Sequence, residues 1–144
     1  MRVSESHLGT VIRVKDFQVK KAQRELAVIK INRVQEEGTL TSLEERQSTA
    51  MSDAVRKMKT KAVDLQTSQA FIQSLSRQIQ HQEEKVQEII TQEEGKRGEL
   101  LEKSQSKQMI TKIDQRRKDE QEKEQERKAQ RVIDVLAQRM KSGL

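Results

Sequence analysis

Leu8, Ile12, Val19, Ala22, Leu26 and Ile29 recur at three- and four-residue steps or at their sum, seven, a spacing that gathers apolar side chains on one stripe of a helix. With Ile12 as position a, the a and d positions are Leu8, Ile12, Lys15, Val19, Ala22, Leu26, Ile29, Arg33, Glu36, Leu40, Leu43, Gln47 and Ala50. The lapse at Arg33 and Glu36 leaves the phase unchanged, because Leu40 and Leu43 return to the same stripe. That persistence decides a local ambiguity. Gly38, followed by Thr41 and Ser42 with Glu44 and Glu45 beyond, has the form of a helix stop and a fresh capping box. A true break would reset the phase, so Gly38 reads as a weak point inside one helix, costing about 1 kcal/mol.

From Gln47 to Ser68 the stripe fades and Ser, Thr and Asp accumulate, residues whose side chains compete for helical backbone bonds. This stretch is the expected chain reversal, with Thr67 or Ser68 capping the second helix. A second stripe runs through Ile72, Leu75, Ile79, Gln82, Val86 and Ile89. Gly95 and Gly98 interrupt it, and Leu100, Met109, Ile110 and Ile113 continue it loosely. Between Asp114 and Arg131 only Ala129 is apolar, so this run is expected to supply no seam. It can still be helical, since Asp119 with Lys123 and Glu124 with Lys128 stand four apart, acid first. Each such pair contributes about 0.2–0.5 kcal/mol. Val132, Ile133, Leu136 and Met140 then share a face near the C-terminus.

The pattern predicts an all-α chain folded as a long antiparallel two-helix coiled coil, one hairpin over residues 1–144. Helix one is expected over about 5–50, the reversal over about 51–62 and helix two over about 63–140. Their lengths would be about 70 Å and about 110 Å, leaving an overhang at the C-terminal end. The alternative is a three-helix arrangement with its turn at 95–98.

Composition narrows the class. Charged residues make up 36% of the chain and aromatic residues 1%, and Pro, Cys, Trp and Tyr are absent. Such a chain cannot build an aromatic-rich globular core, and without Pro it reads as long helix rather than disorder. The absence of Cys excludes a disulfide scaffold. No segment has signal-peptide or membrane-span character, so the chain is expected to be cytoplasmic. The net charge is +6, but acidic and basic residues interleave.

Candidate chemistry is sparse. Two helices side by side offer no pocket for a substrate, so no enzymatic activity, no small-molecule substrate and no cofactor are expected. His7 and His81 stand alone, which argues for solvated side chains and no metal site. The cluster at 116–118 is followed at once by acidic residues, and two phenylalanines make no stacking platform. Nucleic acid is therefore not an expected partner. The anomaly is an outer apolar stripe: Val14 and Val28 fall at c, Phe17 and Ile31 at f. Positions facing away from a partner helix should be polar. Either a register shift or third helix covers them, or another protein does.

Three segments carry a resemblance. LGTVIRVKDFQVKKAQRELA is a Leu-led basic amphipathic opening. FIQSLSRQIQHQ sets Phe71, Leu75 and Ile79 at four-residue steps before a Gln/His cluster, and VIDVLAQRM closes the chain. In order, spacing and length the chain resembles the FliJ family, the coiled-coil stalk of the bacterial flagellar export apparatus, and its type III secretion relatives. The resemblance covers nearly the whole chain. It implies a non-enzymatic role in flagellum biogenesis, motility and protein transport, at the cytoplasmic face of the inner-membrane export machinery. The implied partners are the hexameric export ATPase and the cytoplasmic domain of the export gate, with the ATPase regulator and export chaperones as further ones. The implied ATPase-ring contacts are Leu8, Ile12, Phe17, Val132, Leu136 and Met140. The implied export-gate contacts are Leu43, Phe71, Leu75, His81 and Gln82. Two other readings remain open: a structural coiled-coil spacer and a helical holdase chaperone.

Overall fold

In a computed structural model, residues 2–57 and 62–143 are described, and they form two helices. Helix α1 spans Arg2–Arg56 and α2 spans Ala62–Ser142. The fold is the expected all-α two-helix coiled coil. Gly38 lies inside α1, and Gly95 and Gly98 lie inside α2, so no third helix begins at 95–98. Residues 51–56 of the expected reversal are helical, and 58–61 lie outside the described residues. Thr67 and Ser68 are not caps: α2 has already begun at Ala62, and Leu65 already occupies its half-buried face.

On α1 each a and d position from Leu8 to Ala50 is buried or half-buried, and Ala54 extends the series. On α2 the same alternation holds from Leu65 to Asp114, after which Arg117 is exposed and Gln121 and Glu124 are half-buried. The α2 seam therefore does not lapse at the glycines, and the charged run contributes three positions to it, Asp114, Gln121 and Glu124. It passes through Glu93, Lys96, Lys103 and Lys107, which no apolar pattern would reveal. Leu100 and Ile110 lie on it. Met109 and Ile113 do not, because the phase fixed by Leu65–Ile89 turns both toward solvent.

Two compact units divide the chain. In the unit formed by residues 21–100, Ala22 and Leu26 pack the α1 side, with Leu75, Val86 and Ile89 on α2. Leu75 is buried to 1% exposure, and a fully buried leucine contributes about 1.5–3 kcal/mol. Polar seam residues pair within this unit. Arg33 Nε donates to Glu93 Oε2 at 2.5 Å, and Arg97 Nη2 donates to Glu93 Oε1 at 2.8 Å. Gln82 Nε2 donates to the Glu36 carbonyl at 3.0 Å and to Glu36 Oε2 at 2.6 Å. Lys85 adds an ion pair to Glu36 at 3.2 Å, and Lys96 bridges Glu25 and Glu99. The partner numbers fall on one helix as they rise on the other, the signature of antiparallel packing.

The other unit comprises residues 1–20 and 101–144. Among its described side chains Val19 is the buried apolar one. Lys107 Nζ donates to Asp16 Oδ1 at 2.6 Å, and Lys20 holds the second oxygen at 3.0 Å. The seam here is otherwise half-buried, through Leu8, Ile12, Lys15, Lys103, Ile110 and Asp114. Past Glu124 every described residue of α2 is exposed. Within that segment Gln130 Nε2 donates to Asp134 Oδ1 at 3.0 Å, and the Gly143 backbone N–H donates to the Arg139 carbonyl at 3.0 Å.

Candidate functional site

The expected gate-facing residues fall into two kinds. Leu43 is half-buried on the α1 seam, and Leu75 and Gln82 are buried on the α2 seam. Phe71 and His81 are exposed. The sequence explains the division, since Phe71 falls one position before the seam residue Ile72. Its ring forms one wall of a shallow groove of about 390 Å³, lined also by Ser42, Glu45, Arg46, Thr49, Ala50 and Asp53 of α1. Gln47 Nε2 donates to Ser76 Oγ at 2.6 Å, which fixes α1 beside α2 at this level. A partner meeting this surface would touch Phe71 and His81. Leu75 and Gln82 would act on it only by holding the two helices in place.

The expected ring-facing residues occupy three surfaces of their own unit. Leu8 and Ile12 are half-buried on the seam, while Phe17 points away from it and is 61% exposed. Val132, Leu136 and Met140 lie on α2 beyond the last seam residue, where Met140 is 75% exposed. Ala129 and Ile133 complete this stripe. It does not continue the hairpin seam. Extended past Glu124, the heptad would fall on Lys128, Arg131, Val135 and Gln138, and the apolar stripe is turned roughly a third of a turn from them.

The outer positions are open. Val14 and Phe17 in one unit, and Val28 and Ile31 in the other, are all more than half exposed. Val34 extends the latter pair. No register shift has drawn them inward, and among the described residues no third helix covers them. Leu101 and Met109 are further exposed apolar positions, and the loose α2 pattern did not mark either as outward-facing. Carrying the α2 heptad unbroken through Gly95 and Gly98 would have shown both to be off-seam.

The shifted charged groups lie on or beside the seam. The Asp16 carboxyl is held below its ordinary range by hydrogen bonds from Lys107 first and then Lys20. Lys96 lowers Glu25, and Gln82 followed by Lys85 lowers Glu36. Hydrogen bonds to Glu37 and Glu93 raise Arg33, and those to Glu25 and Glu99 raise Lys96. Each shift stabilises the charged form of a group that joins the helices or braces such a join. Among the described residues no group of three His, Cys, Asp or Glu side chains is placed to hold a metal ion, and both histidines are exposed. No described helix is long and apolar enough to cross a membrane.

Apolar side chains of both units therefore stay open to solvent outside the seam. A family model described as flagellar FliJ protein matches residues 4–142 of the 144. Neither a curated protein nor a solved structure matches the chain. With that match running through both helices and into the exposed C-terminal stripe, the chain belongs to the FliJ family of flagellar export components.

Proposed function

We propose that this protein is a non-enzymatic stalk of the flagellar export apparatus, acting in the cytoplasm at the inner-membrane machinery. Its C-terminal helix enters the hexameric export ATPase ring, and the surface around Phe71 meets the cytoplasmic domain of the export gate. The observation that carries this reading is the unpartnered stripe Val132, Ile133, Leu136 and Met140, in a chain matched to the FliJ family over residues 4–142. An apolar face left open past the end of a hairpin seam has no structural use inside the hairpin. A helix laying such a face into an apolar groove is a common mode of protein recognition.

Phe71 and His81 supply the second contact, supported from beneath by Leu75 and Gln82. Phe17 would flank the ring contact, with Leu8 and Ile12 holding that part of the hairpin closed. The test is ATP hydrolysis by the cognate ATPase with and without the full chain. Stimulation by the parent and its loss in Leu136→Asp, with helicity retained, is the expected result. No effect of the parent on a competent ring would remove the stalk reading. A spacer would leave hydrolysis unchanged, and a holdase would instead suppress aggregation of an unfolded client.

A further inference from the structure

The C-terminal end of the described chain concentrates charge as well as apolar surface. Between residues 127 and 143 five cations, Arg127, Lys128, Arg131, Arg139 and Lys141, stand against one anion, Asp134. The segment therefore carries a net +4 of the chain's formal +6. Arg127 reaches Glu124 only at 3.9 Å, and Asp134 accepts from Gln130. Arg139 and Lys141 suit the negative end of the helix dipole. Arg127, Lys128 and Arg131 lie too far from that end for the same explanation.

We propose that residues 127–142 of α2 are a basic amphipathic segment that binds an anionic phospholipid surface when no protein occupies it. Ala129, Val132, Ile133, Leu136 and Met140 form one aliphatic face, and Lys128 and Arg139 stand at its margins. Arg127, Arg131 and Lys141 lie farther round the helix, where they would attract headgroups over a longer range. A helix with one apolar face and cations on the other lies in the interfacial plane of a bilayer. The whole segment is exposed, so it can do this without opening the hairpin.

The apolar face is wholly aliphatic, with no aromatic side chain to anchor it at a bilayer interface. Five aliphatic side chains insert weakly, which makes attachment depend on the cations. Each cation near an anionic surface raises partitioning about fivefold. Binding is therefore selective for anionic lipid and sensitive to salt.

The proposal adds a second occupant to the helix assigned above to the ATPase ring, and the two compete for one face. The test is co-sedimentation of the full chain with vesicles of phosphatidylcholine alone or mixed with phosphatidylglycerol, at low and high salt. Expected are binding to the mixed vesicles only, loss at high salt, and a more than tenfold drop for Lys128→Gln with Arg131→Gln. Leu136→Asp should abolish binding, with circular dichroism showing that the hairpin persists. Lack of binding to mixed vesicles at low salt overturns the proposal. If the chain still stimulates the ATPase in that case, the stripe is a protein site and the stalk reading stands. Binding that survives both variants also overturns it, by placing the lipid contact elsewhere on the chain.

Discussion

Arg33 Nε and Glu93 Oε2 meet at 2.5 Å across sixty positions of sequence, each at a seam position of its helix. The Glu93 side chain is 6% exposed, and its other oxygen is held by Arg97. An antiparallel hairpin can satisfy these charges against each other. A parallel dimer of α1 would set Arg33 against Arg33. Arg33→Leu should therefore lower the thermal midpoint, because it leaves a buried carboxylate with a single cation. Arg33→Leu combined with Glu93→Leu should recover or exceed the parent midpoint. Light scattering should then detect a larger dimer fraction in the double variant than in the parent. A double variant as unstable as the single one would show that the pair holds more than register.

Phe71 and Leu75 separate docking from packing. Leu75→Ala removes a buried side chain and should cost about 2–3 kcal/mol in urea unfolding, the low end of the usual range because two helices can partly close the gap. Phe71→Ala, at an exposed position, should cost less than about 1 kcal/mol. It should nonetheless lose binding to the cytoplasmic domain of the gate. A Phe71→Ala variant with unchanged gate affinity would move that contact off this surface.

Gly38, Gly95 and Gly98 sit inside helices, none has a positive φ, and a methyl group at any of them would meet nothing within 4 Å. Alanine at each should stabilise the chain by about 0.5–1 kcal/mol, read as a higher urea midpoint. Weaker export by the triple variant, at normal protein level, would indicate that bending at these points serves the function.

Stability should fall on the acid side. The folded chain holds the Asp16, Glu25 and Glu36 carboxyls below their ordinary values. The unfolded chain therefore binds more protons at low pH, and stability rises with pH through that range. The carboxylate contribution is complete above about pH 5 and is lost as pH falls through the folded values. Arg33 and Lys96 are raised, so the Lys96 contribution stays complete up to about pH 10 and disappears only above its folded value. Circular-dichroism melting should give a level midpoint from about pH 5 to about pH 9 and a decline below it. A midpoint that holds or rises down to about pH 3 would contradict the role of these pairs.

Replacing Phe17 and Ile31 together by alanine should leave helicity unchanged, since both side chains are about three-fifths exposed. Each belongs to its own unit, so the single variants report separately on the two surfaces. A loss of more than about 2 kcal/mol would mean that these positions pack against something within the folded state.

The α1 register was legible because apolar residues return on the same phase after each lapse, at Leu40 and Leu43 above all. The α2 register was legible only as far as Ile89. Beyond it Glu93, Lys96, Lys103 and Lys107 occupy seam positions, and a hydrophobic pattern cannot report a seam made of charges. The candidate surfaces were partly legible. Exposure at Val14, Phe17, Val28 and Ile31 follows from the heptad, while the covering of Gln82 depends on Glu36, forty-six residues away.

By itself, then, the sequence determined that the chain is helical, that Gly38 does not break α1, and which α1 face is inward, because those depend on local periodicity. Tertiary structure decided that α2 runs through Gly95 and Gly98 and that its seam persists among charged residues. It also decided that the last stripe stands outside that seam. Each of these depends on what lies across from a side chain: a lysine at 107 is a seam residue because Asp16 faces it, and Leu136 is open because no described residue covers it.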